Sequence, residues 1–305
     1  MVRCWILNSR LDKGAPLATF EGRSYLQLSR LDLWTLKARG WVNSNIIQWM
    51  CNTFNDAPVA HFKRDFYCVS LGILETVIRQ HNLDAFQNGP VLVYDGFGPN
   101  FGDDNRFFDK WFIPMCWKGH WWLYAFNVAQ KRVLVIDSLK CEEPTDERRK
   151  LDAYAIINKV WLSFLHGRLI EDMSKVAIPT YERTLNGPSI AYASVPVQPN
   201  GWDCGIFVIK FMELWTEDCR LHEWDDDMLL ALKVQLMLDI VMGVHNESIG
   251  QVRTLLEENE KCAHRNPRRN KKKEVKSPFT APSTRTLMKQ VGEQPVKKNR
   301  KWRKQ

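Results

Sequence analysis

No stretch of this 305-residue sequence reaches 18 apolar residues without a charge, so nothing in it reads as a membrane-crossing helix. The longest approach, Met228 to Val241, is interrupted by Lys233, Gln235 and Asp239. Met1 to Leu7 is apolar but too short for a signal-peptide core, and Arg10 and Lys13 follow closely. A soluble intracellular protein with no membrane association is expected. No CxxC pair occurs among the eight cysteines, which are Cys4, Cys51, Cys68, Cys116, Cys141, Cys204, Cys219 and Cys262. That absence argues against a zinc site, and a chain of this size without a secretory signal does not read as a disulfide framework. No metal and no cofactor are expected. The ordinary reading of each cysteine is a buried, inert thiol. Internal repeats are also missing, and low complexity is confined to the C-terminal tail.

What is present is a heavy aromatic load, 13 Trp and 15 Phe, within a chain that is 45% hydrophobic and 26% charged. Side chains of that size bury large areas and call for a substantial core. The formal net charge of +8 is unevenly distributed. Residues 265–305 hold 15 Lys and Arg against 2 Glu, which leaves 28 basic and 33 acidic side chains in residues 1–264. The tail carries Arg268-Arg269-Asn270-Lys271-Lys272-Lys273 and a second basic run from Lys297 to Lys304, with Pro267, Pro278, Pro282 and Pro295 between and around them. Low hydrophobicity with high charge cannot offset chain entropy, so disorder is expected there. The two basic clusters read either as a solvated tail or as a nuclear address or nucleic-acid contact, and a nuclear location is expected. Three regions are distinguished: an unassigned N-terminal extension at 1–40, a domain at 41–260 that holds the motifs described below, and the basic tail at 261–305.

The central region reads as mixed α and β. Trp121 to Val128 is apolar on both alternating faces, as in a central strand. Gln130-Lys131-Arg132 reads as a turn and Val133 to Ile136 as the returning strand of a hairpin. Trp111 to Met115 is a third strand candidate that Pro114 should end. Leu151, Tyr154, Ile157, Trp161 and Phe164 recur at helical spacing. Ile206 to Trp215 predicts a buried helix beginning close to Cys204, and Met228 to Val241 predicts another.

Three short segments carry chemistry. His120 opens the central strand and Asp137 closes its hairpin partner. Antiparallel pairing brings a strand's start beside its partner's end, so both side chains fall at one sheet edge. A His oriented by a carboxylate is what a general base requires. Cys204 stands where a loop enters a helix, and unpaired N–H groups with the helix dipole favour a thiolate there. Gly201 and Gly205 should leave the backbone open on both sides for a substrate chain. Taken singly, each residue has an ordinary explanation: a core histidine, a turn aspartate and an inert thiol. Together and in this order they point to a thiol nucleophile with its base and orienter.

Four segments in sequence resemble the ubiquitin-like-protein proteases, the SUMO-specific or Ulp-type cysteine protease family, and in style the plant transposon-derived members. Ile113-Pro114 with His120-Trp121 is similar to the family's histidine block, and Ile136-Asp137-Ser138-Leu139 to its Asp-Ser-Leu block. Pro196-Val197-Gln198 through Asp203-Cys204-Gly205-Ile206-Phe207-Val208 is similar to its Gln–Asp-Cys-Gly block. Trp41-Val42-Asn43 with Ile46-Ile47 resembles its upstream Trp-Leu-Asn-Asp block, although Ser44 stands where that block has an acidic residue that helps to hold the partner.

The resemblance implies an α+β, papain-like fold with a central mixed sheet. It implies peptidase or isopeptidase action after the C-terminal Gly-Gly of a ubiquitin-like protein, SUMO-like first, with that protein or its conjugates as partner. It assigns His120, Asp137 and Cys204 to the triad and Gln198 to the oxyanion hole. One such donor is worth about 3 kcal/mol of transition-state stabilisation. Trp121 and Trp41 would line a narrow channel over the terminal glycines. Two rival readings stand beside it: a non-catalytic module that binds a ubiquitin-like protein, and a mobile-element-encoded protein that contacts nucleic acid through its tail.

Overall fold

The computed structural model describes residues 2–21, 25–56, 66–71, 110–117, 119–139, 146, 149, 180–182, 184–185, 188–215 and 221–265. The periodic segment Leu151 to Phe164 and the basic clusters of the tail lie outside the described residues. The chain divides into two units, Met1–Asn259 and Glu260–Gln305. In chain order, the described helices are α1 (Val2–Ile6), α2 (Arg30–Trp34), α3 (Ser44–Asp56), α4 (Cys204–Leu214), α5 (Asp226–Met242) and α6 (Ile249–Arg265). The strands are β1 (Pro16–Phe20), β2 (Leu26–Ser29), β3 (Phe66–Cys68), β4 (Lys110–Trp117), β5 (His120–Asn127), β6 (Arg132–Ile136) and β7 (Ser189–Tyr192). No helix among the described residues is long and apolar enough to cross a membrane.

The fold is α+β. β1 and β2 form an antiparallel pair. The larger sheet has the order β3-β4-β5-β6-β7, with antiparallel pairing at its centre and parallel pairing at both flanks. β5 is central because Trp121 through Phe126 are apolar on both faces and all buried, so a layer must cover each side. α4 supplies one cover. Its sequence is apolar nearly all round, and Ile206, Phe207, Val208, Ile209, Phe211 and Met212 are buried. Fully burying one such side chain contributes roughly 1.5–3 kcal/mol. Only Lys210 and Glu213 break the pattern, and they pair with each other at 2.6 Å.

β4 runs through Pro114 to Trp117, where the sequence predicted an end. The reason is directional. The Val69 N–H bonds the Phe112 carbonyl at 2.8 Å, so the polar groups of Phe112 face β3. Pro114 shares that parity, and β3 pairs only as far as Phe112. The missing proline N–H therefore falls beyond the end of β3 and interrupts no bond to β5.

Residues 1–40 belong to the main core. Trp5, Ile6, Leu17, Phe20, Leu28 and Leu33 join the same buried apolar cluster as Phe207 and Ile240. Arg30 fastens this region from within. Its guanidinium lies 4.4 Å from the Trp5 ring and donates to the carbonyls of Trp5 (2.7 Å) and Asp12 (3.0 Å).

Candidate active site

The β5–β6 hairpin positions the first two groups. Leu123 pairs with Ile136, so one further step of the register sets Asp137 opposite Trp122. His120 is two residues along on the same face, a diagonal neighbour. The His120 Nε2–H donates to Asp137 Oδ1 at 2.7 Å. The same oxygen accepts the Leu139 N–H at 2.9 Å, which holds the carboxylate in place. The Trp122 ring stacks beside the imidazole, with centroids 5.9 Å apart. His120 Nδ1 is buried without a hydrogen-bond partner in the protein, and the Cys204 thiol acts on the ring from close range. Burial opposes the imidazolium, yet the hydrogen bond to Asp137 and the nearby charges of Asp137 and Cys204 outweigh it and raise its pKa to about 9. Both neighbours of the ring, Asp137 and Cys204, favour its protonated form.

Cys204 is the first residue of α4 and is 2% exposed. The residue before it, Asp203, sits at the N-cap position but makes no side-chain cap. Its carboxylate turns instead to Lys233 and to Asn200 Nδ2, the latter at 2.7 Å. The first turn of α4 thus keeps its N–H dipoles unneutralised by a side chain, beside the sulfur.

Gln198 is 5% exposed and arrives by way of β7. The chain leaving β7 follows β6, and the Gln198 N–H bonds the Ser138 carbonyl at 2.9 Å. The Ser138 hydroxyl donates to Gln198 Oε1 at 2.6 Å, and Gln198 Nε2 donates to the Asn200 carbonyl at 2.5 Å. A carbonyl only accepts, so these two bonds fix which end of the amide is NH₂. One amide N–H is thereby used and one is left. Asn200 in turn accepts the N–H groups of Trp202 and Asp203 at 3.1 Å each, which folds the loop tightly into the start of α4. Ser138 and Asn200 were not singled out from sequence. Their signal was adjacency to Asp137 and Cys204.

The two tryptophans differ. Trp121 is 7% exposed and its indole N–H donates to the Val42 carbonyl at 3.1 Å. Trp41 is 48% exposed and its ring lies over Gly119, where a Cβ would stand 2.5 Å from Cζ3. Gly119 also has φ +80°, so glycine is required there on both counts. Around Cys204 the glycine expectation is half corrected. A Cβ on Gly201 would meet nothing within 4 Å, but one on Gly205 would stand 2.6 Å from the Val42 Cβ. Gly205 is small to admit Val42, and it offers no open face to a substrate. The remaining described thiols include Cys51 and Cys68, both buried against the Met212 sulfur at 3.9 and 3.7 Å. No cluster of potential metal ligands occurs among the described residues.

Residues 94–242 match the family model of the Ulp1 protease family, C-terminal catalytic domain. Over that stretch the chain is similar to the Ulp1 protease family. A curated relative, ubiquitin-like-specific protease 1A of Arabidopsis thaliana, is 28% identical over 188 residues, 61% of this chain and 34% of that protein. This chain therefore spans about a third of that relative's length. Among solved structures, the C-terminal Ulp1 protease domain in complex with Smt3, the yeast orthologue of SUMO, superposes with a TM-score of 0.50 at 17% identity. It covers 80% of this chain and 94% of that one. The Chaetomium thermophilum Ulp1-like SUMO protease catalytic domain gives 0.51 at 17% identity, covering 79% and 88%. At such identities the structural likeness speaks to fold, and the fold is the α+β, papain-like one of Ulp1 protease domains. Trp41 and Val42 lie before the stretch matched to the Ulp1 family, yet they pack against its His120 and Cys204 blocks.

Proposed function

We propose that this chain is a cysteine peptidase or isopeptidase that cleaves after the C-terminal Gly-Gly of a ubiquitin-like protein, SUMO-like first. The observation that carries the chemistry is the His120–Asp137 hydrogen bond of 2.7 Å, with the other face of the imidazole turned to a thiol at a helix N-terminus. In this reading Cys204 is the nucleophile, His120 its base and Asp137 the orienter. The thiolate attacks the carbonyl carbon of the last glycine. The remaining Gln198 amide proton and the Cys204 backbone N–H receive the oxyanion. As the C–N bond breaks, the imidazolium gives its proton to the departing amine and a thioester remains. Water, deprotonated by His120, then releases the ubiquitin-like protein and restores the thiol.

The substrate side draws on the relatives. The Arabidopsis protein is named a ubiquitin-like-specific protease, and the yeast domain is seen with an orthologue of SUMO. The Trp41 ring over Gly119 fits a channel too narrow for a Cβ, with Trp121 supporting its wall through Val42. The basic tail supports a nuclear address or a nucleic-acid contact for the same protein. The test is a panel of ubiquitin-like proteins carrying C-terminal electrophiles, offered to wild type and Cys204→Ala. The reading expects one adduct on Cys204 from at least one panel member and none from the variant. No adduct across the panel, or labelling that survives Cys204→Ala, overturns it.

A further inference from the structure

The least expected charge near the site is Lys233. It lies mid-way along α5, in a largely apolar stretch of the sequence, and is 1% exposed. Its ammonium forms an ion pair with Asp203, the residue before Cys204. It also donates to the Gly40 carbonyl at 2.8 Å, with the Lys37 carbonyl farther off at 3.5 Å. Burial lowers its pKa, against the pull of Asp203 and of Cys204 itself. Gly40 immediately precedes Trp41 and has no room for a side chain, since a Cβ there would stand 2.3 Å from the Thr35 carbonyl oxygen. On the far side of Trp41, Val42 is packed onto Gly205 and accepts the Trp121 indole bond.

A buried ammonium is costly to desolvate and tolerable only where several acceptors converge. Here the acceptors come from two segments distant in sequence, and both border the thiol. We propose that Lys233 is a positioning residue that ties the start of the Cys204 helix to the 37–40 turn carrying Trp41, and so sets nucleophile and channel wall relative to each other. This rests on the reading of Cys204 as nucleophile. Lys233 touches no reacting atom in this role. It acts through Asp203 on one side and through Gly40 on the other. A tether that only stabilised the fold would alter melting temperature and leave the reactivity of folded molecules unchanged.

The test uses the full chain and two readouts taken well below melting. One is the rate at which iodoacetamide alkylates Cys204, read on the Cys204 peptide. The other is turnover of a ubiquitin-like protein with a C-terminal fluorogenic amide, resolved into kcat and KM. Lys233→Met is expected to lower both the alkylation rate and kcat at least about 10-fold, since a 1 Å misplacement can cost about 100-fold. KM should rise as well, because Trp41 loses its anchor. Lys233→Arg, which keeps the charge, is expected to recover most of both rates. If Lys233→Met fails to fold, the pair Asp203→Asn with Lys233→Met removes both buried charges together, a change that is commonly tolerated. It should fold and retain the deficit. A folded Lys233→Met or paired variant with wild-type alkylation and wild-type kcat and KM overturns the proposal. Failure of the underlying reading shows separately, in the wild type alone, as turnover that survives Cys204→Ala, and the proposal falls with it.

Discussion

Two cation–carboxylate pairs flank Cys204, His120–Asp137 and Lys233–Asp203. The side chains of the first are 19% and 16% exposed, those of the second 2% and 5%. The first pair sits at a sheet edge with one imidazole nitrogen unengaged, so it can exchange a proton with the thiol. The second is sealed between α5, the α4 start and the 37–40 turn, and its ammonium is shared with a backbone carbonyl. Similar charges therefore divide their work by access to water. In the proposed mechanism the accessible pair changes protonation state, and the sealed pair holds geometry.

The sharpest way to break that division is to remove the accessible base. His120→Ala should cost roughly 10³–10⁴-fold in kcat, as measured by turnover. Lys233→Met should show the larger structural effect. Leaving Asp203 buried and unpaired costs about 3–5 kcal/mol, read as a lowered denaturation midpoint. Gln198→Ala should lose on the order of 10²–10³-fold in kcat, with unfolding little changed.

The pH response sharpens the contrast. The His120 pKa is raised from 6.5 to about 9 in the folded chain. Its stabilising share is thus complete below the unfolded value near 6.5 and is lost as pH rises through 9. The melting difference between wild type and His120→Gln should shrink across that window. Ser138→Ala comes last, with about 1 kcal/mol of stability and a modest fall in kcat as the Gln198 amide loosens.

The hairpin and the approach of His120 to Asp137 were legible in sequence because strand pairing is a counting rule. Apolar runs of known length around a turn place His120 and Asp137 at one edge whatever packs on them. The helix starting at Cys204 was legible for a related reason, since an eleven-residue apolar segment after a glycine-bearing loop has few other fates. Pro114 misled because local propensity says nothing about which side of a strand has lost its partner. Gly205 misled in the same way. A glycine's missing Cβ is visible in sequence, but Val42, the group filling that space, comes from far along the chain.

The sequence by itself determined the alternation of the central strands, the register that joins His120 to Asp137 and the order of the three site blocks. All of these depend on spacing along a single chain. Only the tertiary structure decided the role of Lys233, which in sequence is a lone charge interrupting an apolar helix. Whether such a charge faces water or is buried depends on what converges on it. Here Asp203 and Gly40 do, and the cost of burying an ammonium without them is the physical reason both segments meet beside the thiol.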